Sequence, residues 1–270
     1  VIYNGKPLKS ANKYYWRVQV EDNLGTKSKF SRWASFQTGI LNEEDWISKW
    51  VHTPTNKSSN YPFIKYNFMI ENIPDFAPAY IASVGFHELY INGKRVSDAV
   101  LSPSVSDLRN RVLYSSYDIA SYLNIGENNI VIWLASGWAN FKDGNPKVSF
   151  NLAKSPLCRA QFKINNDWFA TDKSWKFSLS NTFHLGAWQN SNFGGDFIDD
   201  SGRDIKWTQD SNNQKFWTNV DEVKFNLKLS SDFIEPNGKT KKISAIGVKK
   251  LSEGNYQFSM YKIYTGWIEA

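Results

Sequence analysis

The sequence is poor in the residues from which disulfide frameworks, metal centres and nucleophilic sites are built. Its 270 residues include one cysteine and three histidines. A lone cysteine cannot form an internal disulfide and fits no zinc-binding spacing, so Cys158 is predicted to be a small buried hydrophobic residue. No nucleophile motif surrounds His52, His87 or His184. A nucleophilic triad or a metal-dependent hydrolase therefore has no support.

The sequence also lacks a long apolar run and an N-terminal targeting segment. Without about 18 consecutive apolar residues no membrane-spanning helix is predicted, and no membrane insertion is expected. The net charge is +6, but the lysines are spread along the chain. Because no recognition motif accompanies them, no nucleic-acid partner is predicted.

Aromatic residues are abundant: they make up 16% of the chain and include 12 tryptophans. This composition is typical of a β-rich protein whose flat rings pack in sheets or line sugar sites. Short alternating runs, separated by turn signals and without long helical patterns, predict an all-β antiparallel sandwich. One short helix is predicted over 118–123, with Asp118 as its N-cap. The candidate strands are 63–70, 79–84, 87–91, 111–117, 129–135, 157–164, 167–171 and 176–179. The residues predicted to be buried in the sandwich are Ile64, Tyr66, Phe68, Ile70, Ile130, Ile132 and Trp133.

Two alternating runs near the start of the chain, Tyr14–Val20 and Ser31–Gly39, flank a glycine-containing turn and predict a hairpin. Their residues resemble the last two strands of a fibronectin type III domain. An isolated hairpin is marginal in water, so this one is expected to dock onto other parts of the chain. The rings expected to make that contact are Trp16, Trp33 or Phe36.

The middle of the chain carries an ordered set of motifs: Phe86–Val96 with its Asn92–Gly93 turn, Leu101–Pro103, Arg111–Ile119 and Gly126–Ile132. In this order they resemble the N-terminal β-sandwich of bacterial α-L-rhamnosidases, and more loosely the galactose-binding-like module of other glycoside hydrolases. The Leu-Gly-x-Gly-Trp-Tyr pattern of that family reads Leu134–Ala139 here. Its Gly-Glu-x-Tyr-Asp-Ala-Arg pattern reads Gly195–Ser201.

The resemblance implies a jelly-roll-like (galactose-binding-like) sandwich over 41–208, flanked by partial β-domains. Residues 1–40 are then the last strands of a fibronectin type III-like domain, and 209–270 a linker and the start of a following β-domain. The implied parent is an inverting α-L-rhamnosidase, periplasmic or secreted, that acts in polysaccharide degradation. Its catalytic helical barrel has no counterpart in this chain, so no catalytic residue is assigned.

A non-catalytic accessory region of this kind has two alternative roles. It binds terminal L-rhamnose, in part through calcium as some members of the family do, or it braces the catalytic domain. The expected partners are rhamnose-containing glycans and the remaining domains of the parent enzyme. The alternative to this family is a galactose-binding-like carbohydrate module of another glycosidase, or a purely structural spacer.

The glycine-rich acidic segment 192–204 is the candidate calcium site. Calcium takes several oxygen ligands, which a curled acidic loop can supply, and the candidate ligands are Asp196, Asp199 and Asp200. The alternative is a structural corner in which these carboxylates bond to backbone.

Sugar recognition combines an aromatic face for C–H groups with amides and carboxylates for hydroxyls. The candidate carbohydrate-binding residues are Trp138, Asn140, Trp188, Asp196 and Asp199. The loop Gly194–Asp204 and the loop with Trp138 and Asn140 are expected to converge at one end of the sandwich, because each follows a strand of the same sheet. In a functional site, Asp196 and Asp199 are expected to point at a common cavity that holds a cation or ordered water.

Overall fold

The computed structural model describes residues 3–54, 60–140, 156–185, 191, 194–198, 217–264 and 266. The chain forms two compact units, Val1–Asn237 and Gly238–Ala270. Within the described residues, regular structure is strand apart from three short 3-10 helices, which confirms the predicted all-β class. No helix in this part of the chain is long and apolar enough to cross a membrane.

The first unit opens with the predicted hairpin, in which β1 (Lys13–Trp16) pairs antiparallel with β2 (Ala34–Gln37). The second unit holds another hairpin, β17 (Gly247–Ser252) with β18 (Asn255–Ser259). The strands between them are β3 (Trp50–His52), β4 (Asn60–Ile70), β5 (Pro78–Val84), β6 (Phe86–Ile91), β7 (Lys94–Arg95), β8 (Arg111–Asp118), β9 (Gly126–Ala135), β10 (Leu157–Ile164), β11 (Asp167–Ala170), β12 (Lys176–Leu185), β13 (Gly195–Ile198), β14 (Thr218–Asn219), β15 (Asp221–Val223) and β16 (Lys228–Ser231).

Strands β3 to β16 form two sheets. The first has the order β15-β3-β10-β5-β8-β16, with β11 also paired to β10, and the second has the order β13-β12-β4-β9-β6-β7, with β14 also paired to β12. Among these pairs β16 and β8 are parallel, whereas the neighbouring pair β5 and β8 is antiparallel. Because β14, β15 and β16 belong to these sheets, the pairing extends past residue 208, where the sequence placed the end of the sandwich. These strands are only two to four residues long and give little alternating pattern.

The core lies between the two sheets, where side chains of both inner faces meet. Alternate residues of β4 point inward, because successive side chains of a strand face opposite sides. Met69, between two inward residues, is exposed. The first sheet contributes Ile81 and Phe162 to the same core. The predicted burial is confirmed for Ile64, Phe68, Ile70, Ile130 and Ile132.

Two other residues predicted to be buried, Tyr66 and Trp133, are half-buried. The Tyr66 ring packs at the border of the core, 5.3 Å from the Trp175 ring. Trp133 follows the inward-facing Ile132, so the alternation places it on the outer face of the second sheet. There its ring lies 5.3 Å from that of Phe63.

The first sheet is covered on both faces, since every residue of β5 is buried. A second apolar cluster, which includes Ile40, Trp46 and Tyr80, covers its outer face. The Tyr80 hydroxyl donates to the Thr38 carbonyl at 2.9 Å, and the Ile40 N–H donates to the Tyr114 hydroxyl at 3.1 Å. These bonds attach the base of the N-terminal hairpin to the sandwich.

The rings of the hairpin do not make the docking contacts predicted for them, because Trp16, Trp33 and Phe36 are 49%, 62% and 43% exposed. The hairpin is held at its base instead, where the Ser10 hydroxyl donates to the Asp45 carboxylate at 2.5 Å. The sequence identified the apolar residues of the hairpin but did not show which end meets the sandwich.

Two local predictions concern Asp118 and Cys158. The predicted helix is a single 3-10 turn, Ala120–Tyr122, and its N-cap position is Ile119 rather than Asp118. The Asp118 carboxylate nevertheless accepts the N–H of Ala120 at 3.2 Å. Cys158 is free and buried, as predicted, and burial raises the pKa of its thiol.

Candidate functional site

A half-open pocket lies where the β5–β6 turn, the loop before β8 and the turn after β9 meet. About 330 Å³ of space, part of it open solvent, lies among its lining residues. Its walls combine apolar groups with hydroxyls and include Phe86, Pro103, Ser104, Ser106, Leu108 and Trp138. Trp138, selected from the sequence as a sugar-binding residue, is 37% exposed in this wall. The pocket is therefore open to solvent and has an aromatic side.

Two glycines allow the backbone to approach closely behind this pocket. Gly85 has φ +115°, and a Cβ there would lie 2.1 Å from the Ala135 carbonyl oxygen. Gly137 has φ +48°, and a Cβ there would lie 2.6 Å from the Phe86 ring. Both conformations favour glycine, and both contacts leave no room for a side chain. Gly137 also opens the 3-10 helix Gly137–Asn140 that carries Trp138.

The loop on the opposite wall is tied to the sandwich at two points. The His87 N–H donates to the Ser102 carbonyl at 2.7 Å, and the Ser104 N–H donates to the Asp232 carboxylate at 2.8 Å. The loop is thus ordered by the protein itself. A ligand that enters the pocket has little loop ordering to induce, which favours binding.

A buried polar chain runs behind the pocket through Ser83, His87 and Tyr117. His87 Nδ1 lies 2.9 Å from the Ser83 hydroxyl, and His87 Nε2 lies 3.0 Å from the Tyr117 hydroxyl. The Ser83 hydroxyl donates to the Gly85 carbonyl at 3.1 Å. Ser83 is left as the acceptor from His87 Nδ1–H, and Nε2 accepts from Tyr117. Burial lowers the pKa of His87 to about 3, so the imidazole is neutral.

The hydrogen bonds of Ser83, His87 and Tyr117 differ from those of a serine nucleophile paired with a general base. A general base must present a lone pair to the serine hydroxyl, whereas in the tautomer assigned from these contacts His87 directs an N–H to Ser83 and its lone pair to Tyr117. The three residues therefore brace the wall of the pocket and do not activate Ser83.

Asp196 lies in β13 and is exposed. The Tyr61 hydroxyl donates to its carboxylate at 2.5 Å, and His184 Nδ1 lies 3.7 Å from the same oxygen. Burial, and then this hydrogen bond, raise the pKa of Tyr61, so the phenol keeps its proton. Asp196 is thus partly satisfied by a phenol and retains exposed oxygen for a further ligand.

The strand register places Trp138 and Asp196 at the same end of the second sheet. Trp138 follows the end of β9, β9 pairs with β4, and the start of β4 lies beside the end of β12 and the start of β13. Three strand spacings separate β9 from β13, about 14 Å in total. Trp138 and Asp196 therefore lie at the same end of this sheet, but Asp196 is not among the residues that line the Trp138 pocket.

The remaining predicted site residues lie outside the described side chains. They are Asn140, Trp188, Asp199 and Asp200. Among the described residues there is no group of three or more His, Cys, Asp or Glu side chains that could hold a metal ion. The calcium site at Asp196, Asp199 and Asp200 stays a prediction.

Sequence reasoning missed the contribution of Ser104 and Ser106 to the pocket. Neither belongs to a motif, and only the tertiary contacts bring their loop to Trp138. Gly85 did leave a signal, because a lone glycine between two alternating strands indicates close backbone approach.

Comparison with known proteins places this fold among parts of larger enzymes. The family model described as the α-L-rhamnosidase N-terminal domain matches residues 74–241. A second model, described as the Rha78A-like N-terminal immunoglobulin domain, matches residues 1–42. An α-L-rhamnosidase of Formosa agariphila is 29% identical over the whole chain, which covers 31% of that protein. One of Alteromonas sp. is 24% identical over 82% of the chain and 25% of its own length.

Solved structures give the same assignment. The α-L-rhamnosidase from Dictyoglumus thermophilum superimposes with a TM-score of 0.77 and 27% identity, over 95% of this chain and 30% of that one. The Streptomyces avermitilis α-L-rhamnosidase complexed with L-rhamnose has a TM-score of 0.75 at 14% identity, over 95% and 42% of the two chains, and shows a shared fold. The chain spans about a quarter to a third of its curated relatives. Because the first family model covers more than half of the sequence, this protein belongs to the α-L-rhamnosidase N-terminal domain family.

Proposed function

We propose that this region is a non-catalytic accessory module of an α-L-rhamnosidase and that it binds a terminal L-rhamnose in the pocket beside Trp138. The observation that carries the proposal is a partly exposed tryptophan in the wall of an open, pre-ordered pocket. Hydrolysis by the inverting mechanism would belong to other parts of the parent enzyme, as would the other protein partners of this region. A periplasmic or secreted location is consistent with a glycan ligand.

The pocket chemistry suits a 6-deoxy sugar. L-Rhamnose has a methyl group and a C–H surface, and Trp138, Phe86 and Leu108 offer apolar contacts to these. Ser104 and Ser106 line the opposite wall, and serine hydroxyls can donate to or accept from sugar hydroxyls. A small number of polar groups in a mainly apolar pocket is the usual composition of a ligand site.

Titration calorimetry of the whole chain with L-rhamnose tests this proposal. We expect saturable binding that weakens at least about tenfold in Trp138→Ala, which corresponds to about 1.4 kcal/mol of lost contact. Trp16→Ala is the matched control, because it removes an exposed tryptophan from the apolar face of the hairpin. Equal weakening in both variants, or no change in Trp138→Ala, would contradict a site at Trp138.

Calcium is a separate proposal, since it rests on Asp196 with Asp199 and Asp200. The same titration in calcium chloride and in EDTA tests it. Loss of rhamnose binding in EDTA, and in Asp196→Asn, supports a calcium-assisted site at the end of the second sheet that holds Asp196. Equal rhamnose binding in both buffers would contradict the calcium proposal, whereas the proposal of a rhamnose site at Trp138 would still stand.

The second candidate is a structural brace for the rest of the parent enzyme. It is favoured by the apolar side chains on one face of the hairpin, Trp16 and Phe36, which are about half exposed. Circular dichroism verifies that the wild-type chain is folded. If its titration with L-rhamnose then shows no binding in calcium chloride or in EDTA, the structural role is favoured over sugar binding.

A further inference from the structure

The net charge of the chain is concentrated at its N-terminus. Residues 1–39 contain seven Lys and Arg but only two Asp and Glu, which gives +5 of the +6 carried by all 270 residues. Lysines occur throughout the sequence, but elsewhere acidic residues balance them. Glu21 pairs with Lys27, and the other six basic residues have no ion pair within the described residues. The hairpin therefore presents an unbalanced positive surface.

Strand register sorts these side chains onto one face. Lys13 is opposite Gln37 and Tyr15 is opposite Ser35, and cross-strand partners share a face. Continuing this register brings Arg17 opposite Trp33. We call this set the basic face: Lys13, Tyr15, Arg17, Trp33, Ser35 and Gln37. The other face carries Tyr14, Trp16, Ala34 and Phe36 and is apolar.

Aromatic rings hold the two cations of the basic face. The Arg17 guanidinium lies 3.9 Å from the centre of the Phe30 ring and 4.6 Å from that of Trp33. The Lys13 ammonium lies between two rings, 5.7 Å from that of Phe76 and 5.8 Å from that of Tyr15. Stacking restrains a guanidinium while its N–H edge stays free to bind an oxyanion. Tyr15 and Trp33 are 64% and 62% exposed, so the rings are open to a ligand as well.

We propose that the basic face binds an anionic glycan, that is, a chain of sugars bearing carboxylate or sulfate groups. The rings offer surfaces for sugar C–H groups, Arg17 offers paired donors to an oxyanion, and Ser35 and Gln37 offer hydrogen bonds to hydroxyls. Lys13 and Arg17 are separated by about 13 Å along the strand. That length exceeds one sugar ring and calls for an oligosaccharide. The face lies outside the Trp138 pocket and requires no contribution from it.

Glycan-array or biolayer binding with the full 270-residue chain tests the proposal. The probes are oligogalacturonate for carboxylates, dextran sulfate for sulfates, neutral dextran and poly-glutamate. We expect binding to one or both anionic glycans, weaker in high salt, and little to dextran or poly-glutamate. Which of the first two binds more tightly identifies the anionic group.

Variants distinguish binding at the basic face from non-specific attraction to the positive charge of the chain. Arg17→Gln and Trp33→Ala should each weaken binding at least about tenfold. Lys241→Gln removes one charge outside the hairpin and should leave binding within about twofold. Circular dichroism melts verify that each variant is folded. Absence of binding to both anionic glycans, equal binding to poly-glutamate, or equal loss in Lys241→Gln would overturn the proposal. Rhamnose titration of Trp138→Ala answers the other question separately, so either proposal can fail alone.

Discussion

The sandwich and the N-terminal hairpin are both built from alternating, aromatic-rich strands, yet they differ in what covers them. Every residue of β5 is buried, whereas β1 and β2 are mostly exposed. Side chains alternate between the two faces with a period of two in both regions, so alternation alone does not explain this difference in burial. Alternation therefore identifies the residues that share a face, but only a packed neighbouring layer turns that face into a core.

The largest expected effect is in the sandwich core. Phe162 is completely buried between the sheets, so Phe162→Ala should lower the free energy of unfolding by about 3–5 kcal/mol, through lost burial and a residual cavity. Urea denaturation followed by tryptophan fluorescence measures it. A loss below about 1 kcal/mol would mean that the core relaxes around the cavity, contrary to the close packing described.

A comparable loss is expected at the pocket backbone. Gly85→Ala places a Cβ against the Ala135 carbonyl at a positive φ, which should cost about 3 kcal/mol in strain and steric conflict. Gly195→Ala is the control, because nothing lies within 4 Å of its Cβ position. Its unfolding free energy should stay within about 0.5 kcal/mol of wild type, and similar losses in both variants would refute the steric argument.

Acidification should weaken the sandwich through His87. Its pKa is lowered from 6.5 to about 3 in the folded protein, so the unfolded chain binds the extra proton between these values. The stability that the neutral His87 contributes to the folded protein is complete above pH 6.5 and is lost as the pH falls towards 3. One proton corresponds to a slope of about 1.4 kcal/mol per pH unit. His87→Gln should flatten the pH dependence by that amount relative to wild type, and an unchanged slope would contradict a neutral buried imidazole.

The attachment between the two regions should give a smaller effect. Tyr114→Phe removes the hydroxyl that accepts the Ile40 N–H, and the unmet buried donor should cost about 1–2 kcal/mol. Limited proteolysis should show faster cleavage in the hairpin than in wild type. Tyr256→Phe in the second unit is the control for loss of a tyrosine hydroxyl, and the same cleavage rate in both variants would place the attachment elsewhere.

The smallest effect is expected on the hairpin surface. Trp33→Ala removes an exposed ring and should change the free energy of unfolding by less than about 1 kcal/mol, which is the range of surface substitutions and exposed cation–π contacts. A loss that approaches that of Phe162→Ala would show that the ring is buried against another surface, and the contrast between the two regions would then fail.

Much of the fold was predictable because it depends on neighbouring residues in the chain. The inward set of β4 and β9 follows from period-2 alternation, and the Asn92–Gly93 turn follows from the preference of these residues for positive φ. Trp133 was assigned to the core because β9 is apolar on both faces, and an apolar residue on an outer face cannot be recognised from its own strand.

The site was less predictable because its parts come from distant segments. Trp138 was identified as a rim tryptophan, but its partners Ser104 and Ser106 belong to no pattern. The prediction that the Trp138 and Asp196 loops share one end of a sheet agrees with the register. The two strands that intervene between β9 and β13 follow from the strand order, which cannot be inferred from the sequence.

By itself the sequence determined the all-β class, the inward residues of the central strands and the resemblance to α-L-rhamnosidases, because strand period and turn chemistry are local properties. The tertiary structure alone decided that β16 runs parallel to β8, that the hairpin rings remain exposed, and that Gly85, Ser104 and Trp138 surround one pocket. These features depend on which surfaces meet once the layers pack, and the free energy of that packing is shared among residues far apart in the chain.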